Sequence, residues 1–332
     1  MPSLKLDELL GVPKLPDYLE TVNQRLNHAV QSANPGLRRP LQKVISAKSK
    51  RLRPALLFAS AGGKLNEKTV SCGTAIELLH LGSLVHDDLI DNADSRWGKL
   101  SIATTDGYAT AVLAGDYLLA SACAQAAKID GQIAELISQT IINLIKGESL
   151  EAAEDYNLYR TEKSYFDCVQ AKTAELISIS CRLGGICAGQ TQTQIKSLAL
   201  YGNQLGISFQ LIDDLLDILS SSKLLGKPVG NDPKNGVYTL PIIYSLRSGS
   251  QRQLKKVLKA QKISAKDLAA IVLADDSVQK TIARVNSYNQ LARDSLDKLG
   301  TAHAAGLQDL PDAYLTWALN NLVLSEYQAK IV

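Results

Sequence analysis

The stretch FQLIDDLLDIL, residues 209–219, places three aspartates inside an apolar run whose hydrophobic residues recur at helical spacing. In a helix each residue advances about 100° around the axis, so Asp213, Asp214 and Asp217 share one side. Acidic side chains on an apolar helix are costly to bury without a partner. This helix is therefore expected to line an interior space or the wall of a cleft.

The same spacing occurs earlier in the chain, in LLHLGSLVHDDLID, residues 78–91, where Asp87, Asp88 and Asp91 fall on one side of a helix. Carboxylates crowded into one site resist ionising together unless a cation compensates them. One such cluster alone is usually a solvated helix face, whereas two matching clusters favour a shared function. Both offer carboxylate oxygens and no thiolate, the ligand set of a hard cation. Since Mg²⁺ completes its shell with water and substrate phosphate oxygens, the two clusters predict a diphosphate clamped through Mg²⁺.

A diphosphate site also needs cationic side chains, and the sequence offers several near the two clusters. The segment KSKRLRP, residues 48–54, begins an apolar helix, and single cations occur in QAKTAEL and GKPVGND. Each of these charges alone is more often a surface residue. Neither a GxxxxGK(S/T) loop nor a GxGxxG fingerprint is present, so nucleotide binding by those routes has no motif. The candidates are Lys48, Lys50, Arg51, Arg53, Arg96, Lys172 and Lys227.

The whole chain of 332 residues, 45% hydrophobic and 21% charged, is long enough for a sizeable core and too apolar for disorder. Apolar residues recur at helical spacing throughout, which predicts an all-α fold in a single domain over residues 1–332. Most connections are short, as between antiparallel helices. The exception is the glycine- and proline-rich stretch 220–236, which we expect to be a functional loop. The predicted helices cover residues 16–32, 38–48, 54–61, 67–91, 106–128, 131–156, 162–188 and 192–219, with shorter ones up to 329.

Charge and cysteine content exclude several classes of protein. The net charge of +3 is nearly neutral and no basic block occurs, so nucleic-acid binding is not expected. The five cysteines form no CxxC pair and lie in apolar helical stretches, as buried thiols in a reducing compartment do. No apolar run approaches the roughly 20 residues of a transmembrane span, and the N-terminus lacks the pattern of a secretory signal. The sequence therefore predicts a cytoplasmic protein without a transmembrane segment.

In their order along the chain, the motifs resemble those of the trans-isoprenyl (polyprenyl) diphosphate synthases. The matching segments are KRLRP, LLHLGSLVHDDLID, AVLAGDYL, GESLE, KTAEL, FQLIDDLLD, GKPVGND and TLP. They span roughly residues 40–245 and include two DDxxD motifs. The resemblance implies an isoprenoid-synthase-type helical bundle around a central cavity, usually in a homodimer. The implied substrates are isopentenyl diphosphate and an allylic prenyl diphosphate.

The resemblance also implies a role for each matching residue. The six aspartates of the two motifs would hold Mg²⁺ ions that bridge the allylic diphosphate. Residues implied to bind this diphosphate or to line its reacting end are Arg96, Lys172, Lys227, Thr173 and Gln210. Among them Lys172, Thr173 and Gln210 are the predicted catalytic residues. The implied site for isopentenyl diphosphate consists of Lys50, Arg53 and His80, although His80 by itself would be interpreted as a core histidine.

Several positions depart from the family pattern, among them Lys48 and Ser49, which replace the glycines before its lysine motif. Trp97 stands where the family has a second arginine, which serves the isopentenyl site, and Val237 stands where it has a lysine. An indole face can stabilise a cation, so a single-substrate prenyl diphosphate lyase or cyclase is an alternative. A non-catalytic partner subunit is another, although such subunits commonly lose aspartates and all six are retained here. The retained isopentenyl residues favour an elongating prenyltransferase.

The length of the product depends on the walls of the cavity. In the family, residues one helical turn before the first DDxxD motif form the floor beneath the allylic substrate. Gly82 and Ser83 occupy these positions and are small, which predicts an open floor and a product of geranylgeranyl length or longer. Closure lower down by Leu78, Leu79 or side chains of the predicted helix 106–128 is the alternative. The C-terminal part of the chain shows helical periodicity without a motif, so Tyr314 and Trp317 are interpreted as packing residues.

Overall fold

The computed structural model describes residues 6–47, 50–96, 98–225, 229–260, 263–299 and 306–331. Within these ranges nearly every regular element is a helix, and the one sheet is a two-stranded antiparallel ribbon. The predicted all-α fold is therefore confirmed. Among the described helices none combines the length and the apolarity that crossing a bilayer requires.

The N-terminal helices lead to the long helix α5. Their bounds are α1 (Leu6–Leu10), α2 (Leu15–Gln31), α3 (Pro35–Ile45), α4 (Leu52–Ser60) and α5 (Glu67–Ile90). Two of them begin at capping side chains, because Asn34 accepts a hydrogen bond from the Leu37 N–H at 3.0 Å and Asn66 accepts one from the Thr69 N–H at 2.9 Å. Helix α5 is apolar on nearly all sides and is accordingly buried along most of its length.

A short hairpin and a helical pair follow α5. The elements are β1 (Ser95–Arg96), β2 (Lys99–Leu100), α6 (Ile102–Asp106), α7 (Tyr108–Ala127) and α8 (Gly131–Ala152). The strands pair antiparallel with Arg96 opposite Lys99. The predicted helix 106–128 begins later than expected, because Gly107 at a φ of 90° separates α6 from α7. Asp130 caps α8 by accepting a hydrogen bond from the Ile133 N–H at 2.8 Å.

The predicted helix 162–188 is interrupted. The chain forms α9 (Glu162–Val169), a π-helical turn (Gln170–Ala174) and α10 (Glu175–Ala188). Helix α11 (Gln192–Leu219) then runs its full predicted length from a capping box between Thr191 and Gln194. A π-helical turn inside a helix is rare and is frequent at functional sites.

Short helices make up the C-terminal part. Their bounds are α12 (Ser222–Leu225), α13 (Asn231–Lys234), α14 (Leu240–Ser245), α15 (Gln251–Leu258), α16 (Ala265–Val272), α17 (Ser277–Asp294), α18 (Leu310–Leu322) and α19 (Ser325–Gln328). The stretch 220–236, predicted as a loop, thus contains α12 and α13. Residues 226–228 between them lie outside the described ranges.

Two hydrophobic cores flank the site, and α11 joins them. The first lies around α5, α7 and α10, and the second around α14, α16 and α17. The N-terminal half of α11 packs in the first core and its C-terminal half in the second, while Phe209 packs against both. Helices α5 and α11 are therefore held firmly, and each carries one aspartate triad near its C-terminal end. The single domain over residues 1–332 stays a prediction.

Candidate active site

A cavity of about 1360 Å³ lies between α5, α8, α10, α11 and α18. Charged lining residues of these helices lie towards the C-terminal ends of α5, α8 and α11 and on the π-helical turn before α10, and most apolar lining residues lie elsewhere along the wall. The polar lining residues include Asp87, Asp88, Asp91, Arg96, Glu148, Lys172, Asp213, Asp217 and Asp232. The apolar ones include Leu84, Leu119, Ile141, Leu144, Ile145, Leu176 and Leu205. Such a cavity suits a molecule with a charged head and a long apolar tail.

A smaller polar pocket of about 110 Å³ adjoins the charged end of this cavity. The two share the lining residues Asp91, Lys172, Thr173, Gln210, Asp213 and Asp232. The remaining wall of the pocket includes Arg160, Tyr165, Asp214 and Val237. The apolar Val237 side chain thus sits in a predominantly polar chamber.

The first triad lies at the C-terminal end of α5, where the helix dipole is negative. Burial raises the pKa of Asp87, Asp88 and Asp91, although Arg96 opposes this at all three and Lys172 at the first and last. Asp88 is engaged by Arg96, whose Nε donates to Asp88 Oδ1 at 2.7 Å. Carboxylates that are partly desolvated at a negative helix end are a strong site for an added cation.

The second triad lies in the last two turns of α11 and divides between the two spaces. Asp213 lines both the cavity and the pocket, Asp217 lines the cavity, and Asp214 lines the pocket. Asp214 is only 1% exposed, and burial raises its pKa to about 7. The backbone of the following segment is fastened to Asp217, whose carbonyl oxygen accepts from the Gly230 N–H at 2.8 Å.

The π-helical turn positions two of the predicted catalytic residues. Lys172 and Thr173 are adjacent in this turn, and both line the cavity and the pocket. Two glycines allow the turn to pack closely between α8 and α11. A Cβ on Gly147 would lie 2.8 Å from the Lys172 backbone nitrogen, and a Cβ on Gly206 would lie 2.5 Å from the Ala174 Cα. Any larger residue at either glycine would push the turn away.

The Lys172 ammonium is held between two glutamates of α8. It lies 2.8 Å from a Glu148 carboxylate oxygen and also pairs with Glu151. Burial lowers the pKa of Lys172, but the two glutamates outweigh burial and raise it. Burial raises the pKa of Glu148 to about 7, although the neighbouring Lys172 opposes this shift. Lys172 is therefore a permanent cation at the charged end of the cavity.

Arg53 and His80 form a pair on another part of the cavity wall. Arg53 Nη1 lies 2.9 Å from His80 Nε2. Burial and the neighbouring Arg53 lower the pKa of His80 well below its ordinary value, so the ring is neutral and accepts from Arg53. Burial also lowers the pKa of Arg53 to about 10. Lys50 lies nearby on the wall, with its ammonium 4.4 Å from the ring centroid of Trp317.

Arg51 anchors the segment that carries these cations. It has a left-handed φ of 50° at the start of α4. Its guanidinium pairs with the buried Glu77 at 2.7 Å and donates to Asn23 at 3.0 Å. This fixed backbone keeps Lys50 and Arg53, on either side of Arg51, at the cavity wall.

The cavity and the pocket collect the predicted site residues from distant parts of the chain. Those lining the cavity are Lys50, Arg53, His80, Asp87, Asp88, Asp91, Arg96, Lys172, Thr173, Gln210, Asp213 and Asp217. Asp214 lies in the adjoining pocket. The predicted residue Lys227, together with Lys48 and Trp97, lies outside the described residues.

The predicted floor residue Gly82 does not line the cavity, so that part of the prediction is wrong. A Cβ on Gly82 would lie 3.0 Å from Leu119 Cδ2 and 3.2 Å from Leu118 Cβ, because α5 and α7 pack closely there. Ser83 does line the cavity, as does Leu119. The wall below the first triad is therefore formed by Ser83 and by side chains of α7 and α8.

Several residues that line the site were not predicted as site residues from the sequence. Glu148 and Glu151 share one face of α8 within the segment GESLE, whose i, i+3 spacing could have indicated them. Asp232 belongs to the segment GKPVGND and lines both spaces. Tyr165 and Trp317 show no local signal, and Trp317 both stacks on Tyr314, at 6.0 Å between ring centroids, and lines the cavity.

Comparisons with known proteins point in one direction. The family model described as Polyprenyl synthetase matches residues 34–275. The chain is 33% identical to heptaprenyl diphosphate synthase component 2 of Geobacillus stearothermophilus, over 88% of this chain and 93% of that protein. It is also 33% identical to geranylgeranyl diphosphate synthase of Saccharolobus solfataricus, over 85% and 90%. A polyprenyl synthase from Caulobacter crescentus CB15, crystallised with calcium and isoprenyl diphosphate, superposes with a TM-score of 0.87 at 26% identity, over 95% and 99%.

Proposed function

Since the chain belongs to the polyprenyl synthetase family, we propose that it extends an allylic prenyl diphosphate with isopentenyl diphosphate in a Mg²⁺-dependent reaction. The chain is a trans-prenyltransferase by its relatives. The observation that carries the proposal is the cavity itself, which joins the first aspartate triad, two aspartates of the second and several cations to a long apolar wall. The product is an all-trans polyprenyl diphosphate of geranylgeranyl length or longer.

The donor set fits Mg²⁺. Asp87 and Asp91 of α5 and Asp213 and Asp217 of α11 line the cavity and offer hard carboxylate oxygens. In the described part of the chain, no three acidic, histidine or cysteine side chains converge to form an ion site alone. Water and diphosphate oxygens would therefore complete each shell. When bound, Mg²⁺ supplies Lewis-acid neutralisation of the charge on the departing diphosphate.

The allylic diphosphate would bind at this charged end through Lys172 and Arg96, together with Lys227. Arg96 is already oriented by Asp88, and Lys172 by its two glutamates. Fixed cations stabilise charge that develops on a leaving group without the cost of reorganising during the step. Thr173 and Gln210 lie beside these cations, where the allylic carbon would be placed.

Isopentenyl diphosphate would bind through Arg53, His80 and Lys50. Held there, its double bond attacks the carbocation that forms when the allylic C–O bond breaks, and the new chain then loses a proton to the released diphosphate. Leu84, Ile141 and Leu144 exclude water from the carbocation. The intact Arg53–His80 pair supports elongation over a single-substrate lyase or cyclase, which has no use for a second diphosphate site.

We also infer that two copies of the chain associate through α7 and α8. Large apolar side chains on these helices are exposed to solvent: Leu113 by 55%, Ile142 by 46% and Ile145 by 62%. Ile145 also lines the cavity, so a second copy seated on this face would close the cavity wall. One relative is named as component 2 of a synthase, and a different subunit on the same face is the alternative.

One assay tests the proposed reaction. The purified chain is incubated with Mg²⁺ and labelled allylic diphosphate, with and without isopentenyl diphosphate. Longer prenyl diphosphates that form only with both substrates support the proposal. Hydrocarbon or alcohol released from the allylic substrate alone would establish the lyase or cyclase instead. Activity that requires a second protein would establish a partner subunit.

Light scattering tests the association of two copies. The unaltered chain should have the mass of a dimer, and Leu113→Arg should lower that mass towards a monomer.

A further inference from the structure

A chain of hydrogen bonds links the second aspartate triad to the reacting end of the cavity. The Tyr165 hydroxyl donates to Asp214 Oδ2, and Gln210 Nε2 donates to Asp214 Oδ1 at 2.8 Å. The Thr173 hydroxyl in turn donates to Gln210 Oε1 at 2.7 Å. We propose that Asp214 and Tyr165 are positioning residues that set the direction of these bonds, so that a lone pair of the Thr173 oxygen faces the cavity.

Asp214 can set the direction because it is surrounded by donors. The side chain is 1% exposed, and each of its two oxygens accepts a bond from a different residue. The Tyr165 hydroxyl and the Gln210 NH₂ group both donate to it, so both of these groups turn their hydrogens towards the carboxyl. Asp214 lines the small pocket and is absent from the lining of the large cavity. This arrangement distinguishes Asp214 from Asp213 and Asp217, the triad members that line the cavity.

The direction then passes through the Gln210 amide. A glutamine amide has an NH₂ group on one side and a carbonyl oxygen on the other. With the NH₂ group held by Asp214, the carbonyl oxygen is left for Thr173. The Thr173 hydroxyl has one hydrogen, and Gln210 takes it. Its oxygen lone pairs therefore remain for whatever occupies the cavity.

This polarity matters for the chemistry of the proposed function, on which the inference rests. As the allylic C–O bond breaks, positive charge develops on the substrate carbon. An oxygen lone pair oriented towards that carbon stabilises the charge, whereas a hydroxyl hydrogen oriented towards it destabilises the charge. If the Gln210 amide were reversed, its NH₂ group would donate to the Thr173 oxygen. The Thr173 hydrogen would then no longer be taken by Gln210 and could face the cavity. The fixed direction thus favours ionisation of the substrate.

Tyr165 holds Asp214 from the other side. Its ring is 2% exposed and lies under the Arg160 guanidinium, with 5.6 Å between the guanidinium carbon and the ring centroid. Arg160 is itself fixed by a bond to the Tyr238 carbonyl oxygen at 3.0 Å. The Tyr165 hydroxyl is therefore held in place, and its bond to Asp214 Oδ2 favours the carboxyl orientation in which Oδ1 faces Gln210.

A double-mutant cycle between Asp214→Asn and Thr173→Val tests the proposal. Each single change is expected to lower kcat by about 10- to 100-fold with little change in the KM for the allylic substrate. Because both act on the same lone pair, the double variant should lose little beyond the worse single variant. Additive losses would overturn the proposal. Tyr165→Phe, which removes one donor from the far end, should give a smaller kcat loss that also disappears in the Thr173→Val background.

Metal binding separates this role from ligation. Calorimetry with Mg²⁺ and a non-reacting allylic diphosphate analogue should give affinities for Asp214→Asn within about threefold of the unaltered protein. The matched variant Asp213→Asn should bind Mg²⁺ much more weakly. Weak binding by both would make Asp214 a ligand and refute the positioning role. The proposed function is tested separately: it fails if the unaltered chain does not lengthen the allylic substrate. The double-mutant cycle needs only the rate of diphosphate release, so its result does not depend on chain extension.

Discussion

Gly206 of α11 approaches Ala174 so closely that a Cβ on the glycine would lie 2.5 Å from the Ala174 Cα. Ala174 ends the π-helical turn that presents Lys172 and Thr173 to the cavity. The contact joins the helix of the second aspartate triad to this turn. The spacing between the two sets of site residues is therefore fixed by backbone packing.

Gly206→Ala should consequently damage catalysis more than its one added methyl group suggests. Overpacking at a backbone contact costs about 1–3 kcal/mol and shifts the turn. We expect kcat to fall at least tenfold together with a lower melting temperature. Gly131→Ala is the matched control, because nothing lies within 4 Å of a Cβ at Gly131. Equal behaviour of the two variants in both measurements would contradict the packing argument.

The neutral His80 predicts how stability depends on pH. Its folded-state pKa lies well below the ordinary value, chiefly through burial and next through Arg53. The unfolded chain thus binds a proton near pH 6.5 that the folded protein refuses. The contribution of His80 is fully present above that pH and is lost as the pH falls below it. Chemical denaturation between pH 5 and 8 should show this slope, and it should be smaller in His80→Gln, which cannot take up the proton.

The sequence predicted the parts of this protein that local pattern determines. Helices α5 and α11 were expected within a residue or two of their observed ends, because their apolar periodicity is continuous. The spacing of the aspartates predicted one acidic triad on each of these two helices, with its three members on one side. Both triads are found near the C-terminal ends of these helices.

The remaining features depend on contacts between distant segments. The π-helical turn within the predicted helix 162–188 is shaped by Gly147 and Gly206, and no local residue signals it. Tyr165 reaches Asp214 across 49 positions of the chain. Gly82 was misassigned because the periodicity of α5 gives the side of the helix but not the approach of α7. Helical periodicity likewise led to the interpretation of Trp317 as a packing residue. It could not indicate that α18 lines the cavity, because that depends on how α18 packs against distant helices.

Product length should respond to Ser83 rather than to Gly82. Ser83 lines the cavity one turn before the first triad, so Ser83→Phe places a ring in the path of a growing chain. We expect shorter products at a preserved rate of the first condensation. Gly82→Phe meets Leu118 and Leu119 instead and should mainly lower stability. Chromatography of the products from both variants tests this, and an unchanged distribution with Ser83→Phe would exclude this wall as the limit.

Trp317 should tune the use of isopentenyl diphosphate through Lys50. The Lys50 ammonium lies 4.4 Å from the Trp317 ring centroid, and Trp317 stacks on Tyr314 above Phe209. An exposed cation–π contact contributes about 0.5–1 kcal/mol, which corresponds to a two- to fivefold change in binding. Trp317→Leu, which lacks a ring face, should therefore raise the KM for isopentenyl diphosphate by about that factor and leave the KM for the allylic substrate unchanged.

Trp317→Phe keeps a ring beneath the ammonium and should recover part of the loss. Its comparison with Trp317→Leu separates the electrostatic contact from simple packing, since both substitutions shorten the side chain. If Lys50 acts through this ring, Lys50→Met should remove the difference between the two variants, because no cation remains to be positioned. Steady-state kinetics with each substrate varied in turn measures both effects. A KM for isopentenyl diphosphate that is equal in the leucine and phenylalanine variants would show that the indole serves only to pack α18 against the cavity.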